Sequence, residues 1–544
     1  MSKSSKSKGI SSFVMIILVV AYFTIALNLP FYNKVYSLYE SAPENYRTSF
    51  LFSLPLLIVL VLLAFFAVFL LPYLHKILVP FLFITSAMVG YSEYTYNVLF
   101  TTNMLVNVLE TNLAESWRMV TFSYVLWITV FGIVPSVLYL LTKVRFDSLR
   151  HEVIRRIVIL LLCTGGLGGL AKYWYVDYAS FFRNNSKIHF MIVPYNIVAS
   201  SVGVLLRMQA AQIEYRSLGT DAKQRKLSEH KKVLIFVVGE TTRAQNWGLN
   251  GYERNTTPEL ALRGDVLNFK EVSSCGTSTA VSVPCMFAVY TRRTNDNGLA
   301  ENTDNVLDVL MHAGLEVSWI ENNSDCKGVC KNVPFIKELT NSQDKQLCVD
   351  GECRDEILYP SLDEELVKAD RRASDSVIVL HTIGNHGPTY FERYPKEFER
   401  FTPTCKTNEI QKCSAEELVN TYDNGILYID NFLSEVIKKL EQYSDRFDSA
   451  VYFVSDHGES LGEGGVYLHG TPYSIAPEEQ TKVPMIMWFS KGWIEHDRLD
   501  TKCILGKTEL SHDNIFSTLL GMMQTATDQD FYDKSLDITF GCYR

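Results

Sequence analysis

The chain has 544 residues, a formal net charge of −9 and 47% hydrophobic residues. That length allows about three or four domain-sized units, and an acidic balance with no basic patch interleaved with aromatics argues against a nucleic-acid partner. Most of the longest apolar runs fall before residue 175, so the chain splits into two unlike parts.

Five stretches of the first part reach the roughly 20 apolar residues needed to cross a bilayer: Ile10 to Leu29, Ser49 to Leu71, Ile77 to Tyr96, Met119 to Leu141 and Val153 to Leu170. Lys3, Lys6 and Lys8 precede the first as in a signal peptide, but no small-x-small cleavage site follows "TIALNL" and four more spans come after it. It therefore reads as a retained helix. With five crossings, those lysines share one side with Lys76 and with the cluster Lys143, Arg145, Arg150, Arg155 and Arg156. The positive-inside rule makes that side cytoplasmic and puts everything after about residue 172 outside. In the outward loop "TTNMLVNVLETNLAESWR", Asn107, Thr111 and Glu115 recur every four residues, which aligns them on one helical face; a solvated polar face is the ordinary reading of that pattern. Residues 172–230 read as an amphipathic connector followed by a polar linker. The expected organisation is a five-helix transmembrane domain over 1–171, the connector over 172–230, and a separate domain over 231–544.

Ten of the eleven cysteines lie in that last part, and Cys163 sits alone in a membrane span. Close, even-numbered spacing points to disulfides and an oxidising compartment. Cys275 with Cys285, Cys326 with Cys330, Cys348 with Cys353 and Cys405 with Cys413 pair by spacing, leaving Cys503 and Cys542. A zinc-binding array is the competing reading, but repeated CxxC knuckles do not appear.

"KKVLIFVVGETTR" is a continuous β-branched run, as in a strand buried on both faces of a parallel sheet, and it ends at Glu240. "DSVIVLHTIGNHGP" likewise ends in His381 and His386, and "SAVYFVSDHGES" in Asp456 and His457. Helical segments alternate with these runs, which predicts an α/β sheet with helices on both faces and a ligand site outside the carboxyl ends of its strands. Singly, each acidic or imidazole residue reads as a cap or turn; together they form a mixed oxygen and nitrogen set suited to zinc. The stretch "SCGTSTAVSVPC", residues 274–285, can supply a fourth ligand, because metal coordination activates an alcohol as a nucleophile. A disulfide across it would hold that hydroxyl in place. Spacing does not choose among Thr277, Ser278, Thr279 and Ser282.

"VVGETTRAQNWGLNGYERNTTPEL", "CGTSTAVSVPCMF", "HTIGNHGPTYFERYP" and "SDHGESLGEGGVYLHGTPYSIAPEEQTKVP" resemble the signatures of bacterial phosphoethanolamine transferases, in particular the lipid A group that includes the mobile colistin-resistance enzymes. The likeness covers nearly the whole chain. It implies an alkaline-phosphatase and sulfatase-like fold for the second domain, Thr279 as nucleophile, and zinc held by Glu240, Thr279, Asp456 and His457. Lys327, His386 and His469 match positions around the phosphoethanolamine group, with either histidine protonating the leaving oxygen or binding a second zinc. The loop bearing Asn107, Thr111 and Glu115 matches one thought to contact the lipid headgroup.

The resemblance further implies a zinc-dependent transferase of the bacterial inner membrane, with its N-terminus cytoplasmic and its catalytic domain periplasmic, expected as a monomer. Phosphatidylethanolamine would be the donor, diacylglycerol the released product and a lipid A phosphate the acceptor, with lowered binding of polymyxins and other cationic peptides. Transfer to a lipopolysaccharide core sugar, or of phosphoglycerol, is the alternative. A sulfatase would need a C/S-x-P-x-R maturation run, which is not found, and a noncatalytic lipid sensor would be expected to have lost a ligand or the nucleophile.

Overall fold

The structure is a computed structural model that describes residues 9–41, 48–96, 99–102, 104–105, 121–185, 187–210, 214–294, 297–339, 342, 344–349, 352–407 and 410–544. Asn107, Thr111 and Glu115, and the first lysines, lie outside the described residues. The polypeptide forms two compact units, Met1–Ala211 and Gln212–Arg544.

The first unit is helical. Helices α1 (Ser12–Tyr22) and α2 (Leu29–Ser41) are joined by a π-helical turn, Phe23–Leu27. Then come α3 (Thr48–Phe69) and α4 (His75–Tyr96). A second π turn, Thr129–Ile133, links α5 (Phe122–Ile128) to α6 (Val134–Leu141), and α7 (Leu149–Asn184) and α8 (Tyr195–Ala210) complete the unit. Among the described residues four helices are long and apolar enough to cross a membrane, Ser49–Phe69, His75–Thr95, Phe122–Leu141 and Leu149–Arg183. A fifth span arises if the pair Ser12–Leu27 and Leu29–Glu40, bent by 49°, counts as one.

The bend has a polar cause. Asn28 is fully buried at the break; its amide donates to Phe23 O (3.0 Å) and Val193 O (2.9 Å), and its carbonyl accepts from Val193 N (3.0 Å). Backbone groups freed by the interruption are thus paired inside the unit, as an apolar surrounding demands. Phe23, Phe31 and Phe66 fill the interior, while Phe52, Leu138 and Leu161 face outward. The last span continues past Leu170 to Asn184, and α8 lies within the stretch read as connector.

The second unit is built on eight strands: β1 (Lys232–Gly239), β2 (Leu267–Ser273), β3 (Glu316–Glu321), β4 (Phe335–Glu338), β5 (Ser376–His381), β6 (Asp448–Ser455), β7 (Lys482–Phe489) and β8 (Leu510–Ser511). Their order across the sheet is β8-β2-β7-β6-β1-β5-β3-β4. Every pairing is parallel except those of β7 with β6 and β2, so β7 alone runs against the rest. Side chains alternate along a strand. Leu234, Phe236 and Val238 pack with α10 (Val306–His312) and α13 (Ile515–Met522), whereas Val233, Ile235 and Val237 face the other way and are equally buried. Both faces are therefore covered, which explains the unbroken apolar runs of β1, β5 and β6. Between α10 and α13 in sequence come α11 (Ala415–Glu441), opened by a reciprocal Ser414/Glu417 cap, and α12 (Lys491–His496). The four disulfides expected from spacing are present, the two remaining cysteines form a fifth, Cys503–Cys542, and Cys163 is free and buried.

Candidate active site

Because β7 is reversed, its start and the ends of β1, β2, β3, β5 and β6 share one edge of the sheet. That edge carries Glu240 after β1, the loop to Thr279 after β2, Lys327 after β3, His386 after β5, Asp456 and His457 after β6, and His469 ahead of β7.

Glu240, Asp456 and His457 are fully buried and offer ligand atoms that lie within 4.8 Å of one another. His457 Nε2 is 3.3 Å from Glu240 Oε1 and 3.5 Å from Asp456 Oδ2. Thr279 Oγ1 donates to Glu240 Oε2 at 3.0 Å and lies 3.4 Å from His457 Nε2. Thr279 is the first residue of α9 (Thr279–Phe287) and is only half-buried, so the threonine edge of the cluster opens outward while its acidic base is sealed.

The other hydroxyls of the stretch are engaged differently. Thr277 Oγ1 donates to Thr471 O (2.7 Å), Ser282 Oγ accepts from Gly276 N (2.9 Å), and Ser278 is the N-cap residue of α9 without a capping bond from its side chain. Cys275–Cys285 ties the approach to α9 onto its last turns, with Cα atoms 6.2 Å apart. Pro284 lies inside the helix, which ends three residues later.

Neighbours fix the orientation of each cluster member. His457 Nδ1 donates to Gly458 O at 2.8 Å, which turns Nε2 toward the carboxylates. Asp456 Oδ1 accepts from Thr241 N (3.1 Å) and His457 N (2.7 Å), while its buried Oδ2 has no hydrogen-bond partner among the described residues. Glu240 accepts from the Thr241 hydroxyl and from Asn323 Nδ2 (2.8 Å). Gly384, at φ +49°, passes so close that a Cβ there would lie 2.4 Å from Glu240 O.

Two buried carboxylates side by side cannot both ionise without a cation. Burial and the Glu240 charge push Asp456 up to about 7; burial would lower His457, but Asp456 and Glu240 carry it up to about 9. Burial would raise Glu240 too, yet the hydrogen bond and charge of His457 hold it below the usual carboxylate range. The excess acidity, the orphaned Asp456 Oδ2 and the aimed imidazole fit a divalent cation with oxygen and nitrogen preference.

His469 and His386 flank this cluster: the His469 ring centroid is 4.2 Å from that of His457 and 5.7 Å from that of His386. His469 Nδ1 is held by Glu459 Oε2 at 2.8 Å. Lys327, at φ +50° inside the Cys326–Cys330 loop, directs its ammonium to Ser324 Oγ (2.6 Å) and Asp325 (3.1 Å) rather than to the cluster.

Sequence reasoning missed three supports. Asn323 reaches Glu240, Glu459 orients His469, and the buried His512 accepts from Cys275 N (3.0 Å) and donates to Ser455 O (2.9 Å). Glu459 was visible as the acid of "DHGES", and Asn323 as a polar residue just past a strand end; His512 carried no local signal.

Residues 232–525 match the sulfatase family, and residues 58–208 match the phosphoethanolamine transferase EptA/EptB family. The chain is 37% identical to phosphoethanolamine transferase EptA of Salmonella typhimurium over 531 residues, 96% of this chain and 95% of that one. It is 35% identical to phosphatidylethanolamine transferase Mcr-1 of Escherichia coli over 543 residues, 96% of each. The solved integral membrane protein lipooligosaccharide phosphoethanolamine transferase A from Neisseria meningitidis matches with a TM-score of 0.65 and 44% identity, covering 98% of this chain and 100% of that one. With helices fit to span a membrane, a sulfatase-like sheet and relatives alike along their full length, the chain belongs to the EptA family of phosphoethanolamine transferases.

Proposed function

We propose that the protein moves phosphoethanolamine from phosphatidylethanolamine to a phosphate of lipid A in two displacements, with Thr279 as the covalent carrier. The observation that carries this reading is Thr279 Oγ1, 3.0 Å from Glu240 and 3.4 Å from His457, at the half-open mouth of a buried acidic cluster.

Glu240, Asp456, His457 and Thr279 would hold a zinc ion, which supplies Lewis acidity to the phosphodiester and favours the deprotonated threonine. Thr279 Oγ1 then forms its bond to phosphorus as the bond to the diacylglycerol oxygen breaks. Glu240 Oε2, which accepts the Thr279 hydroxyl hydrogen bond, aims that oxygen. Amides in the first turn of α9 lack a side-chain cap and favour the phosphoryl oxygens. His469, oriented by Glu459, or His386 beside it gives a proton to the departing oxygen. Lys327 is assigned to the phosphoethanolamine group once its Asp325 partner is displaced. In the second displacement a lipid A phosphate oxygen attacks the phosphothreonine and Thr279 leaves, recovering its proton. The transfer hides acceptor charge behind an ammonium group, which weakens attraction for cationic peptides.

We further propose that residues 1–171 form the multi-pass anchor with the N-terminus cytoplasmic, that 172–230 connect it to a periplasmic catalytic domain at 231–544, and that Asn107, Thr111 and Glu115 receive the donor headgroup. Likeness along 98% of the chain to a lipooligosaccharide phosphoethanolamine transferase supports an acceptor of the lipopolysaccharide class. Mass spectrometry of lipid A and of core oligosaccharide from cells carrying the wild type or Thr279→Ala tests the reading. Phosphoethanolamine is expected on lipid A with the wild type only; its appearance on the core alone, or with the variant, would overturn it.

A further inference from the structure

At the opposite edge of the sheet a second convergence of ligand-type side chains is found. His230 precedes β1, Asp448 opens β6 and His496 ends α12, and ligand atoms of the three lie within 4.8 Å of one another. Asp448 and Asp456 bracket β6, and at about 3.3 Å per residue the eight steps between them span about 26 Å. This cluster therefore shares nothing with the Thr279 site.

Asp448 is buried, and its two oxygens lie 3.1 and 2.9 Å from His496 Nδ1. A carboxylate can only accept there, so Nδ1 carries the hydrogen; an entering divalent cation displaces that proton and takes its place between Asp448 and the same nitrogen. The His230 ring lies 3.5 Å from the His496 ring, with planes within 3°. Parallel rings this close cannot both aim an in-plane nitrogen at one ion, so binding has the exposed His230 ring swing out of the stack and turn a nitrogen toward Asp448 and His496. Gly492 lets α12 close on the carboxylate, since a Cβ there would lie 2.2 Å from Asp448 Oδ1. The neighbouring Lys232 ammonium is paired with Asp497, which leaves Asp448 to the histidines. Both histidines are exposed and give a cation a way in.

We propose that His230, Asp448 and His496 form a peripheral site for a borderline-soft divalent cation, Zn2+ being the natural occupant. Two imidazoles with one carboxylate suit zinc, copper or nickel and are a poor match for magnesium or calcium, which take oxygen ligands. Bound metal would fasten the segment entering β1 to the start of β6 and the end of α12, and so stabilise the second unit through preferential binding to the folded state.

The test uses the full chain in detergent, stripped of metal, reloaded with Zn2+, dialysed and measured for zinc per protein by mass spectrometry. Wild type, His230→Asn and His230→Asn/His496→Asn are compared, with Glu240→Gln run alongside to mark the catalytic cluster. We expect the double variant to bind one equivalent less than wild type and to lose the zinc-dependent rise in Tm, with headgroup transfer unchanged. The single variant, which alters only one exposed ring, should weaken that equivalent at least tenfold. Equal zinc content and equal zinc titration in wild type and double variant, or a wild-type content lowered only by Glu240→Gln, would overturn the proposal.

Discussion

His512 offers a sharp probe of how the proposed nucleophile is held. It is fully buried and bridges the loop after β2 to the end of β6, accepting from Cys275 N and donating to Ser455 O, one residue before Asp456. Burial pushes this histidine down to about 3, so it acts as a neutral strut throughout the working pH range. His512→Leu keeps an apolar filling of similar size but strands a buried N–H and a buried C=O. Each stranded group costs about 1–3 kcal/mol, or roughly 2–6 kcal/mol together, large beside a usual stability of about 5–15 kcal/mol but not enough to unfold a domain at the upper end. Among the described residues His512 hydrogen-bonds to Cys275 N and Ser455 O and not to Thr279 or a proposed ligand, so zinc content should stay near wild type. Drift of the Cys275 loop relative to Asp456 by about 1 Å would lower transfer about 100-fold. The assay combines denaturant unfolding, zinc content and initial rates with a fluorescent phosphatidylethanolamine, and His512→Gln, which can remake one bond, should recover part of the rate. Wild-type turnover and stability in His512→Leu would refute the strut.

Glu240→Gln should remove one ligand charge and lower zinc affinity by at least tenfold, measured by competition with a chromophoric chelator; unchanged affinity would count against the cluster as the metal centre. Asp355, which accepts from Ile383 N and Gly384 N under the His386 loop, is raised by burial from 3.8 up to about 6. Its protonated form is the one the fold favours. Its contribution is therefore complete below about pH 4 and is lost as pH rises to about 6, on the order of 3 kcal/mol. Asp355→Asn should flatten unfolding free energy across that window, and an unaltered pH slope would contradict the assignment. Lys232 and Asp497 form a buried ion pair; Asp497→Ala strands the ammonium and should cost about 3–5 kcal/mol in denaturant unfolding, whereas a loss below 1 kcal/mol would show the pair is dispensable.

What the sequence made legible follows from how far each signal reaches. Strands β1, β5 and β6 announce themselves because burial on both faces forces unbroken apolar runs, and the abrupt change to Glu240, His381 and Asp456 marks their ends. Disulfides such as Cys326–Cys330 are legible because short loops leave few alternatives. Thr279 was not separable by spacing from Thr277, Ser278 and Ser282; the family likeness picked it out, and among the described residues it is the one hydroxyl of those four that is hydrogen-bonded to Glu240. The antiparallel β7 escaped notice although "KVPMIMWF" is apolar, because direction is set by pairing with β6 and β2. Asn28 is an ordinary asparagine in sequence, and its bend is explained only by Val193, 165 positions away. His512 likewise acts through two distant backbone groups.

The covalent carrier is the claim on which the account turns, and it can be read directly. Purified protein is mixed with phosphatidylethanolamine in the absence of acceptor, quenched in acid, digested and sequenced by tandem mass spectrometry. The account predicts a phosphoethanolamine group on Thr279 that disappears when lipid A is added before the quench. A modification on any other residue, or transfer that proceeds in Thr279→Ala with no adduct at all, would contradict it.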